Sequence, residues 1–211
     1  MQLFERMRKS PKQERSEKTV DAVLEAAALV LQNEGEAAFT TNRIAERAGF
    51  GVGTLYQYFP NKESIVAAIA RRELVAIEGK VRAVLARSSG NGPQEVIRAV
   101  LRVLIRAFSG RRRLRHYVVM SAIRSGNLNA LLDAQQSIAS ILVEALVRND
   151  VTGGPVNRHL SAAREFVLTR AVQGAIRSAV IEENPLLETP EFEDELVNLI
   201  GTILNAPPGK P

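Results

Sequence analysis

Apolar residues recur along most of this chain at three- and four-residue steps and do not alternate, which commits the sequence to helices. Val20, Val23, Leu24, Ala27 and Leu31 set the pattern, the spacing of a helix with one apolar face. Ser10-Pro11 allows that helix to begin as early as Ser10, with proline at its first position, and Gly35 ends it. Thr40 caps a second, short helix closed by Gly49. A third opens at Gly51 and stops at Phe59, because Pro60 disfavours helical geometry in the residue before it. Asn61 caps a fourth that runs to about Arg87. "SSGNGP", Ser88 to Pro93, is the clearest break. Beyond it helices are expected at about Gln94–Ser109, Leu114–Arg124, Leu128–Arg148, Asn157–Glu182 and Glu191–Leu204, about nine in all, with "APPGKP" as a disordered tail over 206–211.

The remaining bulk properties narrow the function. With 211 residues, 45% of them apolar, the chain can bury a core without staples. No apolar run reaches the roughly 20 residues of a membrane helix, and the charged N-terminus lacks the apolar stretch of a signal peptide. A cytoplasmic protein with no membrane partner is therefore expected. The chain has no cysteine and two histidines, His116 and His159, without metal-ligand spacing or a nucleophile motif. No catalytic residue, metal or cofactor is expected, and the chain does not read as an enzyme. The net charge of +5 favours a polyanionic partner, although Met1 to Glu63 holds nine basic and nine acidic residues, so the excess lies further along.

"AGFGVGTLYQYFPNKES", Ala48 to Ser64, carries Gly49, Gly51 and Gly53 and then Tyr56, Tyr58 and Phe59. A phosphate-cradling loop needs a strand before its glycines, and a helix precedes these. The segment reads instead as helix, tight turn, short helix, with Gly49 as the left-handed residue. At 100° per residue Val52, Leu55 and Phe59 share a stripe that can pack on Ile44, Ala45 and the first helix. Gly53, Thr54 and Gln57 lie opposite, and Tyr56 and Tyr58 flank the stripe, so the two tyrosines are not both core. Such a helix, held at its back and presenting small polar groups, suits a helix-turn-helix that reads DNA. It equally suits an ordinary αα-hairpin, and geometry alone leaves both open.

From about Lys18 to Leu74 the chain resembles the DNA-binding domain of the TetR family of bacterial transcriptional regulators. The matching residues are Gly35, Thr40, Ile44-Ala45, Ala48-Gly49, Gly53-Thr54-Leu55-Tyr56, Tyr58-Phe59 and Asn61-Lys62-Glu63. The resemblance implies an all-α fold. Residues 1–17 would be a basic arm and 18–78 a three-helix DNA-binding domain with its helix-turn-helix at about 40–59. A larger effector-binding and dimerisation domain would follow at 79–205. It implies that Thr40 and Thr41 meet a phosphate, that Asn42 reaches a base, and that Val52, Gly53 and Thr54 begin the groove-facing helix. Tyr56 and Tyr58 would contact backbone or a thymine methyl, and Lys62 would anchor a phosphate. Two departures stand out: Phe50-Gly51 replaces the frequent Val-Ser, and Val52 replaces a residue that is often polar. The arm, "ERMRKSPKQER", can follow phosphates or simply be solvated.

Past Ser88 the sequence is less informative. Ala171, Gly174, Ala175 and Ser178 make a small-residue stripe, and Phe192, Leu196, Leu199 and Ile203 an apolar one. By resemblance the two form a four-helix interface with a second subunit; the alternative is intramolecular core. "GRRRLRHY", Gly110 to Tyr117, is a site for an anionic effector or phosphate, or a solvated helix start. Phe108, Tyr117, Met120, Gln136, Phe166, Arg170 and Gln173 are the candidates for an effector pocket. The function expected is a homodimeric regulator, most often a repressor in this family, leaving an inverted-repeat operator in double-stranded DNA when a small-molecule effector binds. An all-helical adaptor whose helix-turn-helix no longer reads DNA is the competing expectation.

Overall fold

A computed structural model describes residues 14–88, 90–109, 111–126, 140–141 and 161–205, with backbone alone at residues 14, 15, 108 and 109. The fold is all-α. Among the described residues the helices are α1 (Glu14–Asn33), α2 (Thr41–Ala48), α3 (Val52–Tyr58), α4 (Lys62–Arg87), α5 (Pro93–Ser109), α6 (Arg112–Arg124), α7 (Ala162–Ile181) and α8 (Pro190–Asn205), with 3-10 turns at Glu36–Ala38 and Pro185–Glu188. No described helix is long and apolar enough to cross a membrane. The N-terminal arm, a start at Ser10, the helix at Leu128–Arg148 apart from the helical residues 140–141, and the tail at 206–211 lie outside the described residues.

The helix ends follow the local chemistry. Thr40 accepts from the Arg43 amide at 3.2 Å, and Gly49 turns the chain at φ 75°, ψ 25°. Pro60 leaves Phe59 extended at φ −124°, ψ 111°. Asn61 Oδ1 accepts from the Ser64 amide at 2.8 Å, while the Ser64 hydroxyl returns a bond to the Asn61 carbonyl at 2.6 Å. Ser161 caps α7 by accepting from the Arg164 amide, so the described part of that helix opens later than Asn157.

The described chain divides into two compact units: residues 14–75 with 111–126, and 76–109 with 140–141 and 161–205. The first has a core of Val23, Ala27 and Leu31 from α1, Phe39, Ile44 and Ala45, Leu55, Tyr58 and Phe59, Ile65 and Ile69 from α4, and Leu114, Tyr117 and Val118 from α6. Phe39 and Tyr117 meet edge to face, centroids 5.2 Å apart. An ion-pair network binds the same helices. Glu25 on α1 meets Arg72 at 3.1 Å and Arg111 at 3.0 Å, and Glu73 on α4 meets Arg111 at 3.7 Å and the buried Arg115. Burial pulls the Arg115 guanidinium below its ordinary proton affinity, and Glu73 opposes this.

The second unit buries Val96, Ile97, Val100 and Leu101 of α5, Leu168, Val172 and Ile176 of α7, and Leu196, Val197, Ile200 and Leu204 of α8. Arg98 and Arg102 of α5 hold Glu193 of α8 at 2.8 and 3.0 Å, and Arg98 also reaches Asp194 at 2.5 Å.

Candidate nucleic-acid interface

The exposed side of α2 and α3 is built from the core outward. Ile44 and Ala45 on α2 and Leu55, Tyr58 and Phe59 at α3 are buried, which fixes both helices from behind. The turn between them is closed by the Phe50 amide on the Ala45 carbonyl at 3.0 Å. Gly51 sits at the head of α3 in extended geometry with no side-chain cap. Val52, Gly53, Tyr56 and Gln57 are then exposed and Thr54 is half-buried. Thr40 and Asn42 are exposed at the start of α2, Thr41 is half-buried, and Lys62 is exposed at the start of α4. The Thr41 hydroxyl and the Tyr56 phenol lie 3.2 Å apart and share a hydrogen bond.

Two expectations on α3 need correction. Val52 is 37% exposed and lies outside the stripe, whereas Tyr58 is 8% exposed and belongs to the core. Val52 and Tyr58 each lie three residues from Leu55, so spacing alone admits either to its face. Val52 sits in the first turn, where the chain enters from the exposed Gly49–Gly51 turn. Tyr56, 43% exposed, is the phenol left at the surface. Gln57, opposite the core at 100° per residue, is exposed as well and belongs with the surface candidates.

Charge on α2 is largely committed. Arg43 bonds Glu34 at 2.7 Å and Glu46 at 2.8 Å, and Arg47 meets Glu34 at 3.1 Å. Hydrogen bonding from Arg43 holds the Glu34 carboxyl below the usual carboxylate range. The same bond raises Arg43 above an ordinary arginine. Sequence reading missed these pairs because Glu34 lies on the preceding helical end.

The arginine run is not simply a solvated helix start. Arg111 and Arg115 turn toward Glu25 and Glu73 inside the first unit. The described effector candidates fall in both units. Tyr117 is core of the first unit, with Arg124 over its ring at 5.5 Å, and Met120 is half-buried on the same helix. They fall there because α6 packs on α1. Phe166, Arg170 and Gln173 sit together on α7 in the second unit, while the Phe108 side chain and Gln136 lie outside the described residues. Of the interface candidates, Leu196 is buried inside its own chain, since the inner face of α8 is Leu196, Val197, Ile200 and Leu204. Ala171, Gly174, Ala175, Phe192 and Ile203 are half-buried, and Ser178 and Leu199 are exposed. Among the described residues no cluster of three or more histidine or acidic side chains could hold a metal ion.

Residues 23–69 match the model for bacterial regulatory proteins of the tetR family. The chain is 31% identical over 85 residues to the HTH-type transcriptional repressor KstR of Rhodococcus jostii (strain RHA1), covering 40% of this chain and 38% of that protein. It is 35% identical over 88 residues to the HTH-type transcriptional regulator BetI of Rhizobium meliloti (strain 1021), covering 41% of each. It thus spans about two fifths of the length of these curated relatives. In fold it is similar to the transcriptional regulator FadR from Bacillus subtilis in complex with stearoyl-CoA, with a TM-score of 0.63 over 88% of this chain and 97% of that one at 15% identity.

Proposed function

We propose, from the premise that this chain belongs through its N-terminal domain to the tetR family of bacterial regulatory proteins, that it is a homodimeric, ligand-responsive DNA-binding regulator. In this reading it acts as a cytoplasmic repressor that leaves an inverted-repeat operator when a small-molecule effector binds. One observation carries it: α3, backed by buried Leu55, Tyr58 and Phe59, turns Val52, Gly53, Tyr56 and Gln57 to solvent beside Thr40 and Asn42. A face of small and polar groups on a firmly held short helix fits the major groove.

The roles follow from the groups. Thr40, Thr41, Tyr56 and Lys62 supply hydroxyl and ammonium donors for phosphates, which set register. Asn42 and Gln57 can pair with adenine, and Val52 and the Thr54 methyl can meet thymine methyls. Gly53 lets the backbone come close. Tyr58 supports the helix from within. The operator's two-fold symmetry calls for two such heads, and the outer faces of α7 and α8, with Ala171, Gly174, Ala175, Ser178, Phe192, Leu199 and Ile203, are the surfaces assigned to pairing. The second unit receives the effector in this reading; FadR from Bacillus subtilis, which has a similar fold, was solved in complex with stearoyl-CoA. Helix α4 contributes residues to both units. An effector that favours one arrangement of α4 shifts the population away from the DNA-competent one. A coupling of about 1–3 kcal/mol weakens DNA binding roughly 5- to 150-fold.

The test is selection of the purified protein against random duplexes, with Tyr56→Ala alongside. Enrichment of an inverted repeat by the wild type, lost in Tyr56→Ala and falling steeply with salt, supports the reading. Folded, dimeric wild-type protein that enriches nothing at low salt overturns it in favour of the adaptor.

A further inference from the structure

Helix α7 satisfies the buried hydroxyl of Thr169 and leaves buried polar atoms of two half-buried side chains, Arg170 and Gln173, without partners. The Thr169 hydroxyl donates to the backbone carbonyls of Glu165 at 2.9 Å and Phe166 at 3.1 Å. Arg170, the next residue, has its Nη1 buried with no hydrogen bond, and three residues on Gln173 has both its amide oxygen and its amide nitrogen buried with none. Among the described residues no carboxylate meets Arg170, and its guanidinium lies over the Phe166 ring, 5.4 Å from the centroid. Phe166 and its neighbour Val167 are 59% and 56% exposed. Residues three and four apart on a helix are surface neighbours, so Phe166, Arg170 and Gln173 form one continuous strip.

Burying a guanidinium nitrogen and an amide without partners is costly, so these groups call for a ligand that matches them. The match can be read from their hydrogen-bonding inventory. Arg170 only donates, and it carries a positive charge, so its complement is an anion with acceptor oxygens. Gln173 both donates and accepts, so its complement is a group that does the same, such as a hydroxyl. The exposed ring of Phe166 offers an apolar surface on the same strip, and Val167, three residues before Arg170, extends it on the Arg170 side.

We infer that Arg170 and Gln173 are the recognition point for an organic hydroxycarboxylate with an apolar body. Arg170 pairs with the carboxylate, Gln173 exchanges hydrogen bonds with the neighbouring hydroxyl, and Phe166 and Val167 cover the apolar part. This deepens the proposed function and rests on its assignment of the effector to the second unit.

The experiment is titration calorimetry on the full-length protein with three probes: 3-hydroxyoctanoate, octanoate and methyl 3-hydroxyoctanoate. The hydroxy acid should bind most tightly, and its neutral ester at least about tenfold more weakly, the loss expected for a charge-assisted hydrogen bond. Arg170→Gln should remove the preference for acid over ester. Gln173→Leu should bring 3-hydroxyoctanoate and octanoate within about twofold of each other. Arg177→Gln, a change of equal charge one turn beyond Gln173 on the same strip, should weaken the hydroxy acid less than Arg170→Gln does and keep the preference for acid over ester. Equal binding of acid and ester, or an Arg170→Gln protein that keeps the preference, overturns the inference. So does a wild type that takes up none of the probes at about 10 mM, or a loss in Arg177→Gln equal to that in Arg170→Gln. Sedimentation velocity guards a further point, since loss of the dimer in Arg170→Gln means that a second copy satisfies these atoms. DNA binding measured without any probe separates the two readings. Binding to DNA but not to the hydroxy acid removes this site alone, and the reverse removes the regulator.

Discussion

The Thr41 hydroxyl and the Tyr56 phenol share a 3.2 Å hydrogen bond across the exposed face of α2 and α3. It ties the first turn of one helix to the middle of the next and sets where the phenol points. An exposed hydrogen bond adds about 0.5–1.5 kcal/mol to a fold at most. Tyr56→Phe keeps the ring and removes the bond, so its thermal midpoint should drop only slightly. Its affinity for a selected operator should fall about tenfold, because the phenol also serves a phosphate. Thr41→Val should lower affinity as well. The double variant should lose less than the two single losses combined, read by fluorescence anisotropy, because the residues act as a unit.

Gly49 and Gly53 are four residues apart and should respond to alanine in opposite ways. A Cβ at either meets nothing within 4 Å, but only Gly49 has a positive φ. Gly49→Ala should destabilise by about 1 kcal/mol through backbone strain alone. Gly53→Ala, inside α3, should stabilise by about 0.5 kcal/mol and yet weaken DNA binding, because a methyl separates the backbone from the groove. A Gly53→Ala protein that is more stable and binds DNA as well as wild type would remove Gly53 from the interface.

The sequence made the helices legible because their signals are local. Thr40, Gly49, Pro60 and Asn61 each act within four residues, and each end was found where its chemistry put it. What escaped depends on residues far apart in sequence. Arg115 stands in a basic run whose sequence suits either an anion site or a solvated helix start, and its partner Glu73 is 42 positions away. Tyr117 looked available to a pocket until Phe39 was found against it. On α3, two turns long, the angular pattern could not decide between Val52 and Tyr58, because burial there depends on what surrounds each end.

Removing Glu73 should be among the costliest single changes in the first unit. Its carboxylate meets two arginines, and Arg115 is buried. Glu73→Ala should destabilise by about 3 kcal/mol, the scale for breaking a buried pair. Glu78→Ala breaks only an exposed pair with Arg82 one turn away and should cost about 0.5 kcal/mol or less. Urea denaturation of both variants checks the contrast. Equal losses would mean that the Arg115 pair contributes no more than a surface one.

Glu193 gives the second unit an acid-sensitive clamp. Burial pushes its carboxyl up, but hydrogen bonds from Arg102 and Arg98 outweigh this and hold it below the usual glutamate range. A carboxyl lowered by folding stabilises above its unfolded value, about 4.3, and that contribution is lost as pH falls through the lower folded value. Wild type should therefore exceed Glu193→Gln in stability at pH 7, and the gap should close as the solution is taken below about pH 4. Denaturant midpoints for the two proteins across that range measure it. A gap that stays constant would show that the carboxylate's charge contributes nothing.

Gly174 offers the cleanest way to separate pairing from folding. It lies on the outer side of α7, away from Leu168, Val172 and Ile176, and among the described residues a Cβ there meets nothing within 4 Å beyond its own turn of helix. Leucine at this position should leave the single chain folded, and even favour the helix by removing a glycine. Two copies that pair through Gly174 and Ala171 need close backbone approach, so a side chain of this size holds them apart. Sedimentation equilibrium should find Gly174→Leu monomeric with full helical content by circular dichroism. Its binding to an inverted repeat should fall at least about a hundredfold, because each head then binds alone and the gain from linking the two sites is lost. A Gly174→Leu protein that remains dimeric would move the pairing surface off this stripe, and α8 around Phe192 and Leu199 would be the next place to look.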